Sequence, residues 1–349
     1  MKRAWMIGAA AALVAGLAAP AHAAERPWRT MPAPFGLWPQ SGLTDVTARG
    51  PQDVWAAGFE GHACVEVPIT GGVPLRLCSS NAIVRKWNGS SWENRNPPGL
   101  WNMKVRDLES SASGDVWLSG EKNNGAYLAR WDGSGWSRVT PPEPCGSATN
   151  LRVAPVGDAV WASNGCLARW RNGTWTAYDT DFYVHTIHPV SDTELWARGT
   201  DLPFRDVIAR WDGDTWVEAD VPEGYTFLLA AGPQGALLSG PGKTELMLGT
   251  GGTWTAIPRP PSSGGYRVGE DGALWSADDP DDPDEPGARF YRFDGRTWQS
   301  TPMPALARTG FGDTDRGGFD LTGIPGTNGA MVAVATAEDG GPLAMTDLP

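Results

Sequence analysis

A turn that closes on a tryptophan recurs six times along this chain. It reads WNGSSW at 87–92, WDGSGW at 131–136, WRNGTW at 170–175, WDGDTW at 211–216, GTGGTW at 249–254 and FDGRTW at 293–298. From Trp92 to Trp298 the closing tryptophans lie 44, 39, 41, 38 and 44 residues apart. A period of this size marks an array of one supersecondary unit, and the unit then dictates the fold. A second element precedes each turn: DVWAAG (53–58), DVWLSG (115–120), AVWASN (159–164), ELWARG (194–199), ALLSG (236–240) and ALWSA (273–277).

Each unit divides into four short segments, a to d, of β-branched and aromatic character. In the first unit they are LTDVTA, DVWAAG, AIVRKW and SWENRNP. Asn-Gly or Asp-Gly between c and d tolerates the positive φ of a tight hairpin turn. Four-stranded units of about 40–45 residues predict a β-propeller. A helical solenoid of similar period is disfavoured. There is no 3.6-residue apolar pattern, and 45 Gly with 30 Pro would break helices.

Six units are complete. Beyond Trp298, GAMVAVATA (329–337) resembles segment b and PLAMTDLP (342–349) resembles segment c, but no d follows. Near the other end, PWRTMP around Trp28 is a segment d with no a, b or c before it. Joining the two remnants gives an all-β, seven-bladed propeller of four-stranded blades, closed by the N-terminal strand, with no open edge left at the join. The expected division is 25–35 for the outer strand of blade 7, then 36–98, 99–142, 143–180, 181–222, 223–261 and 262–304 for blades 1 to 6, and 305–349 for the rest of blade 7.

The pattern DVWAxG…LxRWDGxxW resembles secreted bacterial propeller repeats of the tectonin and Asp-box types, over nearly all of residues 25–349. It departs from a true Asp-box, Ser-x-Asp-x-Gly-x-x-Trp, in having Asp and Gly adjacent. The resemblance implies the fold. Tectonin-type propellers are commonly glycan- or surface-binding lectins and Asp-box propellers include sialidases, so it does not choose an activity.

Residues 1–24 read as a secretory signal peptide. Lys2 and Arg3 precede an apolar run from Met6 to Ala19, and AHA at 21–23 is a small-x-small cleavage site. The run is too short to anchor in a bilayer, so a secreted, extracellular and monomeric chain is expected. The formal charge is −12, and removing Lys2 and Arg3 makes it −14. That balance excludes nucleic acid as a partner, because phosphate contacts need clustered Lys and Arg. Four cysteines in an exported chain suggest two disulfides. Cys64 and Cys78 share the b–c loop of blade 1, while Cys145 and Cys166 precede strands a and c of blade 3. In a propeller the d–a and b–c connections share one face. The pairs Cys64–Cys78 and Cys145–Cys166 therefore fit, and other pairings would have to cross between blades.

The b–c connections vary in length, whereas the c–d turns barely do, so a ligand face is expected on the d–a and b–c side. Sixteen of the 19 tryptophans occupy periodic positions, where inter-blade packing explains them, and Trp5 is in the leader. Trp38 and Trp101 remain, both in the tripeptide GLW within d–a connections. Tyr183, Tyr225 and Tyr266 fall near the corresponding entries of blades 4, 5 and 6. Rings at that position stack on sugar faces, anchor a protein partner, or cap the core beneath loops. The repeated Lys86, Arg130, Arg169, Arg210 and Arg292 suit packing on tryptophan faces better than catalysis. His185 and His188, three apart on a strand, point to opposite faces and make a poor metal pair. The acidic run from Asp278 to Gly287 lacks the spacing of a calcium loop and reads as a solvated, Pro-stiffened segment. No nucleophile elbow, phosphate loop, cofactor motif or zinc spacing is present. The reading is therefore a non-enzymatic module that binds a glycan or the cell envelope. The alternatives are a polysaccharide-active enzyme of glycosidase or sialidase type, and a protein-interaction scaffold.

Overall fold

A computed structural model of the chain describes residues 26–34, 38–69, 72, 74–143, 145–147, 150–232, 235–250, 252–261, 265–269, 271–278, 288–304, 307–308, 319–337 and 340–349. The leader, most of the acidic run and the first two residues of the GLW at 36–38 lie outside them. Seven antiparallel sheets form a ring of blades, and six of them contain four strands in the order a-b-c-d. The innermost strands of blades 1 to 6 are Gly42–Gly50, Met103–Ser110, Arg152–Val156, Tyr183–Ser191, Phe227–Gly232 and Tyr266–Val268. Each packs against the innermost strand of the next blade, and Asp320–Gly323 of blade 7 packs against both blade 6 and blade 1.

Blade 7 is assembled from both chain ends. Met331–Ala337 and Pro342–Thr346 form its b and c strands, and Arg29–Thr30 pairs with the latter through Arg29↔Thr346 and Thr30↔Met345. Met31 N–H extends the ladder to the Ala344 carbonyl at 2.9 Å. Its inner strand is split: Asp320–Gly323 pairs with one half of strand b and Ala307–Arg308 with the other. Trp28 then closes the gap to blade 6. Its ring stacks on Phe290 at 3.7 Å between centroids and meets Trp275 edge-on at 6.2 Å.

The repeating tryptophans explain how neighbouring blades are held. Strand-b Trp55, Trp117 and Trp161 are fully buried. Strand-d tryptophans reach backwards: Trp136 Nε1 donates to the Arg95 carbonyl at 2.6 Å, Trp254 to Asp220 at 2.8 Å and Trp298 to Pro258 at 2.7 Å. Trp92 Nε1 does the same to the Pro32 carbonyl at 2.8 Å, so blade 1 grips the N-terminal segment itself. Lys86, Arg130, Arg169 and Arg292 lie 5.5, 6.0, 5.6 and 5.8 Å from the centroids of Trp55, Trp117, Trp161 and Trp275, as cation–π packing requires.

The c–d turns are more varied than a two-residue hairpin. Asn172-Gly173 does form such a turn, with φ of 51° and 83°. In blades 1, 2, 4 and 6 the loop has four residues between paired aromatics, and Asn88, Asp132, Asp212 or Asp294 accepts two backbone N–H groups within it. These bonds hold the exposed Asp132 and Asp294 carboxyls down to about 2.

Trp28→Ala should destabilise the protein by about 3–5 kcal/mol, the usual cost of deleting a buried tryptophan. Chemical denaturation of the variant measures it. Removing residues 25–34 should cost still more, since it also opens strand c of blade 7.

Candidate functional site

Strand a starts where the d–a connection delivers it, and strand c starts on the same side, so both connections share a face. Of the twelve exposed large hydrophobic residues among the described residues, all but Val217 lie on that side. Trp38 is 58 % exposed, Trp101 74 % and Tyr183 53 %. A left-handed residue soon follows each indole, Gln40 at φ 55° and Asn102 at φ 50°, and turns the chain into strand a. Residues 38–40 also hold the blade 1 hairpin, because the Pro39 and Gln40 carbonyls accept from Gly61 and His62. Tyr183 lies beside the b–c turn of blade 3 at Gly165, next to the Cys145–Cys166 disulfide. Both disulfides have the expected pairing.

Tyr225 and Tyr266 do not join this surface, which corrects the sequence reading. They are only 7 % and 6 % exposed. Tyr225 packs with Ile208, Leu228 and Leu238, and Tyr266 with Leu246, Ile257 and Leu274, each facing the preceding blade. Being near a strand entry does not expose a ring. The alternation of the strand decides, and in Tyr266–Val268 it turns Tyr266 into the core and Arg267 the other way.

Arg267 belongs to a charged group inside the ring that sequence reasoning missed. Side chains of strand a that lean toward the next blade line the central channel. They include Asp45, Asp107, Glu109, Arg152, His188, Arg267 and Asp320, which interact electrostatically across it. The carboxylates also tie blades together. Asp320 Oδ2 accepts from Val46 N–H at 3.1 Å, and Asp107 Oδ2 from Val153 N–H at 2.9 Å. Arg267 bonds the other Asp320 oxygen, and Arg152 approaches Asp107 at 3.8 Å. A β-bulge precedes Asp45, Asp107 and Thr186 in strands a of blades 1, 2 and 4. Such bulges re-aim side chains and are common beside functional sites. A signal existed in the sequence: Asp45-Val46, Asp107-Leu108 and Asp320-Leu321 each place an acid before an apolar residue within an inner strand.

Burial first, then neighbouring acids, raises Asp45 and Glu109 well above the ordinary carboxylate range. Burial raises Asp107 to about 6 against the pull of Arg152 and the Val153 N–H. His188 is lowered to about 4 by burial and by Arg267 and Arg152, so it is neutral at pH 7. The channel therefore holds acids of raised proton affinity beside the Arg267–Asp320 ion pair. His185 is elsewhere, hydrogen-bonded to Thr200 at 2.7 Å. Among the described residues one trio, His62, Cys64 and Cys78, has metal-like proximity, but its sulfurs form a disulfide and offer no thiolate.

No protein-family model and no curated protein matches the sequence. Among solved structures, virginiamycin B lyase from Staphylococcus aureus is similar over 92 % of this chain and 99 % of that one, with 15 % identity and a TM-score of 0.59. YCF48 from Cyanidioschyzon merolae is similar over 92 % of this chain and 98 % of that one, with 16 % identity and a TM-score of 0.54. A puromycin-hydrolysing peptidase from Mycobacterium tuberculosis is similar over 89 % and 53 %, with 12 % identity and a TM-score of 0.53. At these identities the likeness is one of fold, a β-propeller. No helix among the described residues is long and apolar enough to cross a membrane.

The Asp107 carboxyl sets a pH dependence of stability. Below its unfolded value of 3.8 it is protonated in both states and costs nothing; as pH rises from there to about 6 the unfolded chain ionises first and stability falls. The full cost, about 3 kcal/mol for such a rise, persists at higher pH. Asp107→Asn keeps an acceptor for Val153 N–H and should lack this decline. Urea denaturation of both proteins at pH 4, 5, 6 and 7 should show the variant gaining relative stability across that window.

Proposed function

We propose that this protein is a secreted binding module that recognises a glycan or cell-envelope polysaccharide on its d–a and b–c loop face. The observation that carries the reading is the exposure of Trp38, Trp101 and Tyr183 on one face, while strand-b Trp55, Trp117, Trp161 and Trp275 are buried. An indole or phenol ring stacks on the apolar face of a sugar, and its open position leaves it free to do so. Carboxylates and guanidinium groups within the channel are suited to hydroxyl recognition, being rigid and already partly desolvated. A glycan screen with the wild type and with Trp38→Ala/Trp101→Ala tests the proposal. Binding that falls by about tenfold or more in the double variant supports it. Binding unchanged by both substitutions moves the site elsewhere.

A second reading, an enzyme acting on extracellular polysaccharide, is favoured by the channel. Asp45, Asp107, Glu109 and Asp320 converge there with Arg267 and Arg152, and the first three have raised proton affinity. Glycoside hydrolysis needs a protonated acid beside an ionised carboxylate. Release of reducing ends from a polysaccharide panel, lost by about a hundredfold or more in Glu109→Gln, is the expected result for this reading. No release from any member of the panel leaves the binding module.

A further inference from the structure

The blade 1 hairpin, Asp53–Val67 with Leu75–Trp87, carries its disulfide inside a paired ladder rather than across a loop. Cys64 lies directly opposite Cys78, with Ala63↔Ser79 on one side of that pair and Val65↔Leu77 and Val67↔Leu75 on the other. Strand pairing thus holds the two residues in register whether or not their sulfurs are joined. The second disulfide is placed differently. Cys145 and Cys166 are both buried, in the core cluster that contains Trp117, Leu128 and Val160. Cys64 and Cys78 are each partly exposed. A reductant in solution therefore reaches the first bridge before the second, since thiol exchange needs access to a sulfur.

A histidine stands beside the exposed bridge. His62 Nε2 lies 3.3 Å from Cys64 Sγ, and one ligand atom from each of His62, Cys64 and Cys78 falls within 4.8 Å of the other two. The imidazole is buried, and it meets the Phe59 ring edge-on at 5.9 Å between centroids, which fixes its direction. A tetrahedral zinc ion with nitrogen and sulfur ligands at their usual bond lengths spaces those atoms about 3.5 Å apart. Once the sulfurs are parted, rotation about the cysteine side-chain bonds supplies that spacing with the register unchanged.

We propose that reduction of Cys64–Cys78 by a dithiol turns this part of the hairpin into a zinc site. A thiolate of the reductant attacks one sulfur of the bridge and the other cysteine sulfur leaves. The reductant's second thiol then displaces the first cysteine and closes the reductant's own disulfide. Two electrons and two protons pass to Cys64 and Cys78. Zinc displaces both protons and takes two thiolates and His62 Nε2, with water in the fourth position. The two thiolates balance the charge of the ion. Their softness selects zinc over calcium or magnesium, which prefer oxygen ligands. The site lies apart from the open rings of Trp101 and Tyr183, and it does not depend on a glycan being bound.

The experiment uses the full chain, reduced anaerobically with dithiothreitol without denaturant and freed of reductant by gel filtration. Alkylation and peptide mass mapping should find Cys64 and Cys78 modified and Cys145–Cys166 intact. Zinc alone, titrated against a chromophoric chelator, should bind the reduced chain at one equivalent and the oxidised chain not at all. His62→Ala should weaken binding by about a hundredfold or more, as loss of a ligand costs at least as much as loss of its supporting contacts. Cobalt(II) added to the reduced wild type should give the intense visible bands and sulfur charge-transfer absorption of a tetrahedral thiolate site, a readout that needs no variant to fold. Opening of Cys145–Cys166 at the same rate, equal zinc binding by the oxidised chain, no zinc binding after reduction, or an affinity unchanged in His62→Ala would each overturn the proposal.

Discussion

Each blade covers its neighbour, and a ring of such blades is stable only if its last gap is filled. Here one short pairing fills it, Arg29–Thr30 against Pro342–Thr346. Without it, strand c of blade 7 would be an open edge, and Phe290 and Trp275 of blade 6 would lose the ring of Trp28. The indole of Trp92 extends the closure into blade 1 through Pro32. Other strand-d tryptophans repeat the same bond, so the joint between chain ends uses the chemistry of ordinary blade junctions. The ring has no specialised lock; it treats its own seam as one more repeat.

The ring also sets the chemistry at its centre. Seven inner strands face one another around the axis, and polar side chains collect between them. Asp320 and Asp107 are used structurally, each bonding the backbone of the following blade. Asp45 and Glu109 have no such bond among the described residues and are held at raised proton affinity by burial and by other acids. Crowding surplus acid together is unfavourable for stability alone, and acids perturbed in this way cluster at functional sites.

The periodic tryptophans made the fold legible. They fix unit length, and the unmatched PWRTMP and PLAMTDLP fragments imply the closure. The cysteine pairings followed from which connections share a face. The inner strand of blade 7 was not legible, because it is split between Ala307–Arg308 and Asp320–Gly323 in a Gly-rich stretch. The channel acids were hidden for a different reason. A β-bulge shifts the alternation by one residue, so a period of two counted along LTDVTA or KVRDLES assigns faces wrongly beyond it. Tyr225 and Tyr266 show the converse: a position near a strand entry left their direction open, and both rings turn into the core. Trp38 and Trp101 were recognisable because they broke a period that accounts for nearly every other tryptophan.

The seam joins residues more than three hundred positions apart, Arg29 to Thr346. Arg29 and Thr30 are synthesised long before Thr346 and Met345, and are therefore seated after almost everything between them has formed. Until Pro342 to Thr346 exist, the N-terminal strand has no template, and six finished blades form an arc with two uncovered ends. Contacts of such long range slow the final step of folding, and the open arc is the species most prone to pair with a neighbouring molecule. The strand at residues 29–30 thus stays without a place in any sheet until residues 345–346 arrive.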